Sequence, residues 1–380
     1  MQFRKFASED LGMTVFLGHD GTDPQEWAML AALYSRSTMG VEEMVNRVRE
    51  RGASSFMQTY YVGYGDASIG ELVDVKLFLE GVPLYIAPLI EHHSLFRGQE
   101  SSTRYIDFSR QPLHGPDQHL LHDLMAEYHV AVDAMTQAFV ERNDPKDAAE
   151  VRAVQARVFD ICRGLIPLGA TTNVAWVGNI RSIKGHLAWM RQTHPWSVPW
   201  VRMIYAALRD AYPASTEKDL DALRPAEPWV FDPGSSGEVF WGVIDFGSWR
   251  DLNRHRVGRH DAFRLPNADA LVHPFYQDFY DLVGFKGDPE LAARRRASSD
   301  LGARLLGQTI PFRYEMPTSQ ADYFVWRRNQ IDVHPTLRLL VQKYALETYR
   351  ATETVPDMGW GYVFRRGGQT IFMRDGDVAK

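Results

Sequence analysis

Gly98-Gln99-Glu100-Ser101-Ser102-Thr103-Arg104-Tyr105 sets a carboxylate, hydroxyls, a guanidinium and a phenol directly after a long apolar segment. Such a density of donors and acceptors reads as a site for a small polar ligand. A guanidinium can grip a phosphate through two parallel hydrogen bonds, and Glu100 and Ser102 add acceptor and donor beside it. The plain alternative is a polar loop in which Glu100 and Arg104 pair one helical turn apart. A second cluster, Arg250-Asp251-Leu252-Asn253-Arg254-His255-Arg256, follows further along, with Arg259, His260 and Arg264 beyond it and only Asp251 and Asp261 as acids. Unneutralised guanidinium groups predict a bound anion or an acidic subunit surface, against the plain reading of a solvated basic helix. The distance between the two clusters raises the question of a duplicated chain.

Outward from the first cluster, Gln2 to Gly18 alternates weakly as a strand, and Pro24 to Ser35 and Val41 to Arg51 carry apolar residues at helical spacing. From Glu71 the alternation Leu-Val-Asp-Val-Lys-Leu-Phe-Leu-Glu predicts a strand ending at Gly81, and Pro83 to Phe96 reads as a helix delivering the polar cluster. Helical patterns cover Gln118 to Arg142, Ala148 to Arg163 and Ile180 to Arg191. Pro213 to Glu238 has little periodicity, and 225–237 reads as a linker. The second half repeats the outline: a strand over Val239 to Phe246, a helix carrying the basic cluster over Trp249 to Val257, and another over Leu271 to Phe285. Trp189-Met190-Arg191, His194-Pro195, Arg202 and Tyr212 find ordered counterparts in Val325-Trp326-Arg327, His334-Pro335, Arg338 and Tyr349, which predicts an internal repeat. Gly359 to Arg374 alternates as a hairpin-like tail. The expected class is α+β, with domains at 1–224 and 238–355 and a tail at 356–380.

The chain has 380 residues, 45% of them apolar, enough for two packed cores. A net charge of -6 argues against a nucleic-acid track, and no apolar run is long enough to span a bilayer. The single cysteine, Cys162, excludes an internal disulfide, reads as a small buried hydrophobe, and fits a cytoplasmic setting. No histidine pair has metal-ligand spacing, and Walker or Rossmann glycine loops are missing, so side chains must hold any dinucleotide. Arg294-Arg295-Arg296 reads as a solvated run at a helix end.

Taken together these residues resemble the flavin-dependent thymidylate synthases. Gly65-Asp66-Ala67-Ser68-Ile69-Gly70-Glu71 is similar to that family's Gly-His-x-Ser-x-x-Glu segment, and Gln99 to Tyr105 to its Asn-Glu-x-Ser-x-Arg-Tyr. Arg163 through Pro167, and Asn179 with Arg181, resemble its later Ala-Arg-x-x-Leu-Pro and Asn-Ala-Arg elements. The family's Arg-His-Arg triplet is replaced by His92-His93-Ser94, yet stands intact in the second half as Arg254-His255-Arg256. Asp66 and Leu72 stand where the family has histidines.

The resemblance implies two tandem thymidylate synthase-like domains, each a small sheet with long helices, that divide one site between them. It implies FAD as cofactor, methylenetetrahydrofolate and NADPH as co-substrates, methylation of dUMP or a close modification of another pyrimidine nucleotide, and a homodimer that mimics the family's tetramer. By the same resemblance Gln99, Glu100, Ser102, Arg104, Tyr105 and Arg163 bind the nucleotide, with Arg163 reaching its phosphate. Ser68, Glu71, Asn179, Arg181, Arg254, His255 and Arg256 line the flavin, and Arg191, with Arg163, assists the reaction. A non-catalytic flavin- or nucleotide-binding protein is the alternative from a different class.

Overall fold

A computed structural model describes residues 1–63, 67–93, 95–216, 220–223, 225, 237–255, 258–260, 262–330, 333–348, 353–357, 361–366 and 369–372. In chain order the elements are β1 (Gln2–Ser8), β2 (Met13–His19), α1 (Pro24–Tyr34), α2 (Val41–Arg51), α3 (Ala53–Phe56), a π-helical turn (Met57–Gly63), α4 (Ala67–Gly70), β3 (Asp74–Pro83), α5 (Ala87–Glu91), β4 (Arg97–Glu100), α6 (Gln118–Asn143), α7 (Ala148–Cys162), β5 (Thr171–Asn179), α8 (Ile180–Thr193) and α9 (Val198–Ala211). There follow β6 (Gly237–Asp245), α10 (Phe246–Asn253), β7 (Arg259–His260), α11 (Pro274–Leu282), α12 (Pro289–Ala297), β8 (Thr309–Pro317), α13 (Thr318–Arg328), α14 (Pro335–Thr348), β9 (Glu353–Asp357), β10 (Gly361–Arg366) and β11 (Gln369–Phe372). The mixture of helices and small antiparallel sheets is α+β.

The chain divides into two compact units, Met1–Ser101 with Thr171–Val230, and Ser102–Ala170 with Phe231–Lys380. Contacts therefore group the helical segment 102–170 with the second half of the sequence, whereas the sequence reading cuts the chain once, at the linker.

In the first unit an antiparallel sheet runs in the order β1-β2-β3-β5-β4. Val75, Leu77 and Leu79 on β3 point into the core, where α8 and α9 supply Ile183, Leu187, Val201 and Ile204. The alternation that predicts β3 is thus the pleat of a half-buried strand. The weak alternation at the start is a hairpin of two strands and not one strand, because Glu9 to Gly12 closes a turn in which Gly12 takes φ 58°. The helix expected over Pro83 to Phe96 shrinks to α5. Here β3 continues through Pro83, Pro88 opens the short helix, and every residue of α5 is buried, so apolar content came from depth and not from amphipathic length.

In the second unit β6, β8 and β7 form an antiparallel sheet in that order, and β11-β10-β9 a second one. The pairing of β10 with β11 agrees with the hairpin expected of the tail. The helix expected over Trp249 to Val257 starts earlier and ends earlier, since Asp245 caps it by accepting from the Ser248 N–H. Leu120, Leu121 and Leu124 of α6 pack with Leu291 of α12 and with Ala303 and Leu305. Arg295 departs from the solvated reading of its run: it is buried and donates to the Ala268 carbonyl at 3.2 Å, while Arg294 pairs with Asp123.

The order β3-α5-β4-α6-α7-β5-α8-α9 recurs as β6-α10-β7-α11-α12-β8-α13-α14, and the sheet order β3-β5-β4 recurs as β6-β8-β7. Within the second unit the turns Gly164-Leu165-Ile166-Pro167-Leu168-Gly169 and Gly302-Ala303-Arg304-Leu305-Leu306-Gly307 pair with one another about Pro167 and Leu305. The Leu168 N–H donates to Arg304 O (2.7 Å) and the Leu306 N–H to Ile166 O (3.0 Å); Gly169 donates to Gly302 O and Gly307 to Gly164 O, both at 2.9 Å. Each bond has its mate with the two segments exchanged, which is local two-fold symmetry. Two further bonds match, His114 N–H to Gly169 O and His273 N–H to Gly307 O, at 2.7 and 2.8 Å. A Cβ on Gly307 would meet the Gly164 carbonyl at 2.6 Å, so the backbones approach as closely as they do because both positions are glycine.

Candidate functional site

Gln99, Glu100, Ser68, Glu71, Asn179, Arg181 and Arg191 lie in the first unit, and Ser102, Arg104, Tyr105, Arg163, Arg254 and His255 in the second. Arg256, Gly65 and Asp66 lie outside the described residues.

In the first unit the end of β5 and the start of α8 face the segment after α4. Asn179 caps α8 by accepting from the Ser182 N–H at 2.8 Å, and Arg181 reaches Glu71 at 2.6 Å on an exposed surface. The two flavin-lining expectations Glu71 and Arg181 are therefore neighbours. Ser68 is exposed beside them on α4, and Gln99 and Glu100 pair with Ala175 and Val174 in the sheet. Arg191 is held by Asp221, at 2.6 Å from its carboxylate and 3.2 Å from its carbonyl.

Where the family has Arg-His-Arg, the first unit has a ladder of rings. His186 stacks on Trp189 at 5.2 Å and 14°, His92 stacks on the same indole at 5.5 Å, and His93 and Trp176 close on His186. Burial, then the neighbouring His92, lowers His93 to about 4 and His194 likewise, and His186 lies well below the ordinary range for the same first reason. His93, His186 and His194 are thereby held neutral, and His93 and His186 pack as aromatics.

In the second unit the charged residues converge. Asp160, near the end of α7 and 4% exposed, accepts from Arg104 through both oxygens, at 2.5 Å from Nε and 2.9 Å from Nη2. Burial alone would raise this carboxyl, but His334 and Arg104 outweigh it and hold it at about 2. Arg163 is wholly buried and donates to Asp251 and to Ser248 Oγ, each at 3.0 Å, with Asp245 at 3.9 Å. Asp245 accepts in turn from Tyr276 (2.9 Å) and Thr336 (2.6 Å), and Arg254 reaches the other oxygen of Asp251 at 3.1 Å.

The Arg163 fork, from which the resemblance expects a phosphate contact, is taken up here by the Asp251 carboxylate and the Ser248 hydroxyl. Arg104 likewise spends its bidentate face on Asp160, and Ser102 Oγ accepts from the Arg104 N–H at 3.3 Å. Tyr105 is 62% exposed. The basic cluster is also less bare than its sequence, because Glu315 on β8 holds Arg259 at 2.8 and 3.0 Å.

Ser248, His334 and Asp160 look like a hydrolytic triad, with Ser248 Oγ 3.1 Å from His334 Nδ1. Their surroundings decide against it. Ser248 and His334 are fully buried, Ser248 Oγ already accepts a hydrogen bond from Arg163 Nη2 and contacts Thr336 at 2.6 Å, and His334 Nε2 faces the Asp160 carbonyl. No scissile group could approach.

His255 carries the remaining chemistry. It is 6% exposed, stacks on Tyr323 at 20° and meets Phe324 nearly edge-on, while its carbonyl accepts from Tyr314 at 2.6 Å. Its Nε2 is buried without a hydrogen-bond partner among the described residues. Burial, then Arg328 and Arg327, lowers this ring to about 3, so it is neutral at any ordinary pH. Arg328 is lowered to about 10 by burial and by Arg327, and its Nε also lacks a partner among the described residues. Arg327 and Arg254 thus stand close enough to oppose Arg328, while Asp251 and Tyr314 act on it in the other direction. Arg328 was not legible in the sequence as a site residue. Its signal is the doubled arginine closing α13, which looks like ordinary dipole compensation at a helix C-terminus.

Cys162 is buried and its thiol is pushed up to about 12 by burial, as befits a hydrophobe and not a nucleophile. Among the described residues no helix is long and apolar enough to cross a membrane, and no three His, Cys, Asp or Glu side chains stand ready for a metal.

Comparison with known sequences adds to this geometry. Residues 17–195 match the sequence model of the family described as thymidylate synthase complementing protein. A UPF0159 protein of Chlamydia pneumoniae is 28% identical over 162 residues, covering 35% of this chain and 30% of that protein. A UPF0159 protein of Chlamydia muridarum (strain MoPn / Nigg) is 24% identical over 200 residues, covering 47% of this chain and 36% of that protein. The chain spans about a third of the length of these relatives. The likeness to flavin-dependent thymidylate synthases read from the residues is therefore shown over residues 17–195.

Proposed function

We propose that this chain is a tandem flavin-dependent thymidylate synthase-like enzyme that uses FAD to alkylate the C5 position of a pyrimidine nucleotide, dUMP being the first candidate, with methylenetetrahydrofolate as carbon donor and NADPH as reductant. The observation that carries the reading is the crowd of guanidinium groups around neutral His255, in the half of the chain that keeps the Arg-His-Arg triplet. Guanidinium groups close enough to oppose Arg328 favour an anionic ligand, and Tyr323 and Trp326, 47% and 41% exposed, offer ring faces beside them. The orphaned His255 Nε2 and Arg328 Nε are polar atoms that a phosphorylated flavin or nucleotide would satisfy.

In this reading Arg254, His255, Arg256, Arg327 and Arg328 hold the anionic part of the flavin. By the resemblance Ser68, Glu71, Asn179 and Arg181 are assigned to a flavin, and Gln99, Glu100, Ser102, Arg104 and Tyr105 to the nucleotide. The flavin, when bound, supplies hydride chemistry without a protein nucleophile, which agrees with a Cys162 too buried to attack. Arg163 acts as a positioning residue: by bridging Asp251 and Ser248 it fixes α10 and hence the direction of Arg254. Arg191 stays assigned near the pyrimidine, where a guanidinium stabilises developing negative charge. The repeated element order and the paired Gly164–Gly169 and Gly302–Gly307 turns support two fused copies sharing one set of sites in a homodimer.

A second reading has its own observation. Arg104 and Arg163 are both neutralised by buried aspartates, as expected of a homologue that kept its fold and gave up turnover. Anaerobic assay with dUMP, methylenetetrahydrofolate, FAD and NADPH separates the two: a C5-methylated product supports the enzyme, and tight flavin binding without product supports the non-catalytic homologue.

A further inference from the structure

Strand β6 reads Gly-Glu-Val-Phe-Trp-Gly-Val-Ile-Asp, and it stands at the edge of its sheet, with β8 on one side and no strand on the other among the described residues. Its pairing with β8 runs without a break from Gly237 to Asp245, so no bulge twists the edge away. Between Glu238 and Asp245 it carries no charge and no proline. Trp241 and Val243 stand 74% and 55% exposed on the outer face, while Phe240 and Ile244 are buried on the inner one. Soluble proteins protect such edges with lysine, proline, bulges or a covering element, because a flat apolar edge recruits another strand. Among the described residues none of these devices protects the free edge of β6.

The corresponding strand of the first unit shows what this position takes. There β3 has β5 on one side, as β6 has β8, and its other edge is occupied by β2 in antiparallel register, Phe16 opposite Phe78 and Leu17 opposite Leu77. The second unit contains no hairpin equivalent to β1 and β2 among its described residues. We infer that a second copy of this chain fills the place, β6 pairing antiparallel with β6 of its partner about Gly242 to make one continuous six-stranded sheet from two three-stranded ones.

That register is self-complementary. It sets Trp241 of each chain opposite Val243 of the other on the outer face, an aromatic and β-branched pair of the kind that stabilises sheets. On the inner face it sets Phe240 opposite Ile244. The two acids fall away from each other, Asp245 opposite Val239 and Glu238 beyond the pairing, whereas centring one half-residue earlier would oppose Glu238 to Asp245 as like charges. The inference gives the homodimer of the functional reading a surface and needs no ligand.

Sedimentation velocity of the full chain at micromolar concentration tests it, with the Trp241→Lys and Val243→Lys variants alongside and circular dichroism as the check of folding. A dimer that becomes monomeric in either folded lysine variant is the expected result. The register is tested by oxidative cross-linking: Trp241→Cys and Val243→Cys chains, mixed and allowed to exchange, form a disulfide-linked dimer, while each alone does not. Native Cys162 is buried and leaves the background clean. A monomeric wild-type chain overturns both this surface and the dimer reading. A dimer unchanged in both lysine variants overturns the surface alone.

Discussion

Arg104 and Asp160, 56 residues apart in sequence, meet as a two-pronged ion pair at 2.5 and 2.9 Å, with only 15% and 5% of their side chains exposed. The same aspartate receives Arg157 at 3.5 Å. Removing one partner leaves a buried charge uncompensated, so Asp160→Asn is expected to cost about 3–5 kcal/mol, read as a lower urea midpoint at unchanged slope. Arg104→Lys keeps the charge and loses the fork. Its midpoint should fall between wild type and Asp160→Asn, and equality of all three would show the pair to be energetically idle.

The cation crowd around His255 makes a prediction of opposite sign for stability and binding. Replacing Arg328 with Met removes repulsion from Arg327 and Arg254 while keeping an apolar stem in place. Thermal stability of the ligand-free chain should hold or rise, while affinity for FAD falls about tenfold, the worth of one charge-assisted hydrogen bond. A parallel loss of both quantities would make Arg328 a structural residue. Arg254→Ala should also weaken FAD, with an added loss of stability, since Arg254 pairs with Asp251.

How far the sequence could be read follows from which signals are local. The β3 alternation, the helices over Gln118 to Arg142 and Ile180 to Arg191, and the hairpin of the tail announce themselves because pleat and helix periods are written in neighbouring residues. The proposed repeat is suggested in the sequence by ordered coincidences such as His194-Pro195 and His334-Pro335, but the structural feature that supports it most is not written there. Gly164 to Gly169 and Gly302 to Gly307 share little beyond their glycines and leucines, and it is their backbones that match. The site was half legible. Arg-His-Arg and Glu-x-Ser-x-Arg-Tyr pick out Arg254 and Arg104 as candidates by resemblance, yet nothing near Arg104 or Arg163 says that Asp160, Asp245 and Asp251 will claim them, because those carboxylates arrive from other elements. A lone aspartate in the apolar stretch that closes α7, Val158-Phe159-Asp160-Ile161-Cys162, is the hint available in the sequence.

The close approach of the two paired turns can be tested directly. Gly307→Ala drives a methyl group toward the Gly164 backbone, where no flexible side chain can yield. The expected cost is about 1–3 kcal/mol, measured by thermal or urea unfolding. Ala at Gly284, which has open space around its Cβ position and φ 69°, serves as a control for backbone strain alone.

Acid should act in two stages. His334 is lowered to about 4, by burial first and Arg163 next, and His255 to about 3, so the unfolded chain takes up protons at these rings from its ordinary value of 6.5 downward while the folded chain does not. Stability therefore falls as pH drops from 6.5 toward 4 and then 3. Asp160, lowered from 3.8 to about 2, adds a further loss as pH passes through that interval, when the folded carboxylate resists protonation and the unfolded one does not. Melting temperature against pH should show a shoulder beginning near 6.5, reduced in His334→Gln. A flat profile down to pH 4 would contradict the neutral burial of these imidazoles.

The central claim, a flavin site that senses a nucleotide, meets its most direct test in the absorption spectrum of the purified chain titrated with FAD and then with dUMP. A bound flavin whose bands shift on adding the nucleotide is expected, with the shift lost in Arg104→Ala and the binding itself weakened in Arg256→Ala. A chain that leaves the spectrum of free FAD unchanged at every concentration contradicts it, and the arginines around His255 would then serve some other anion.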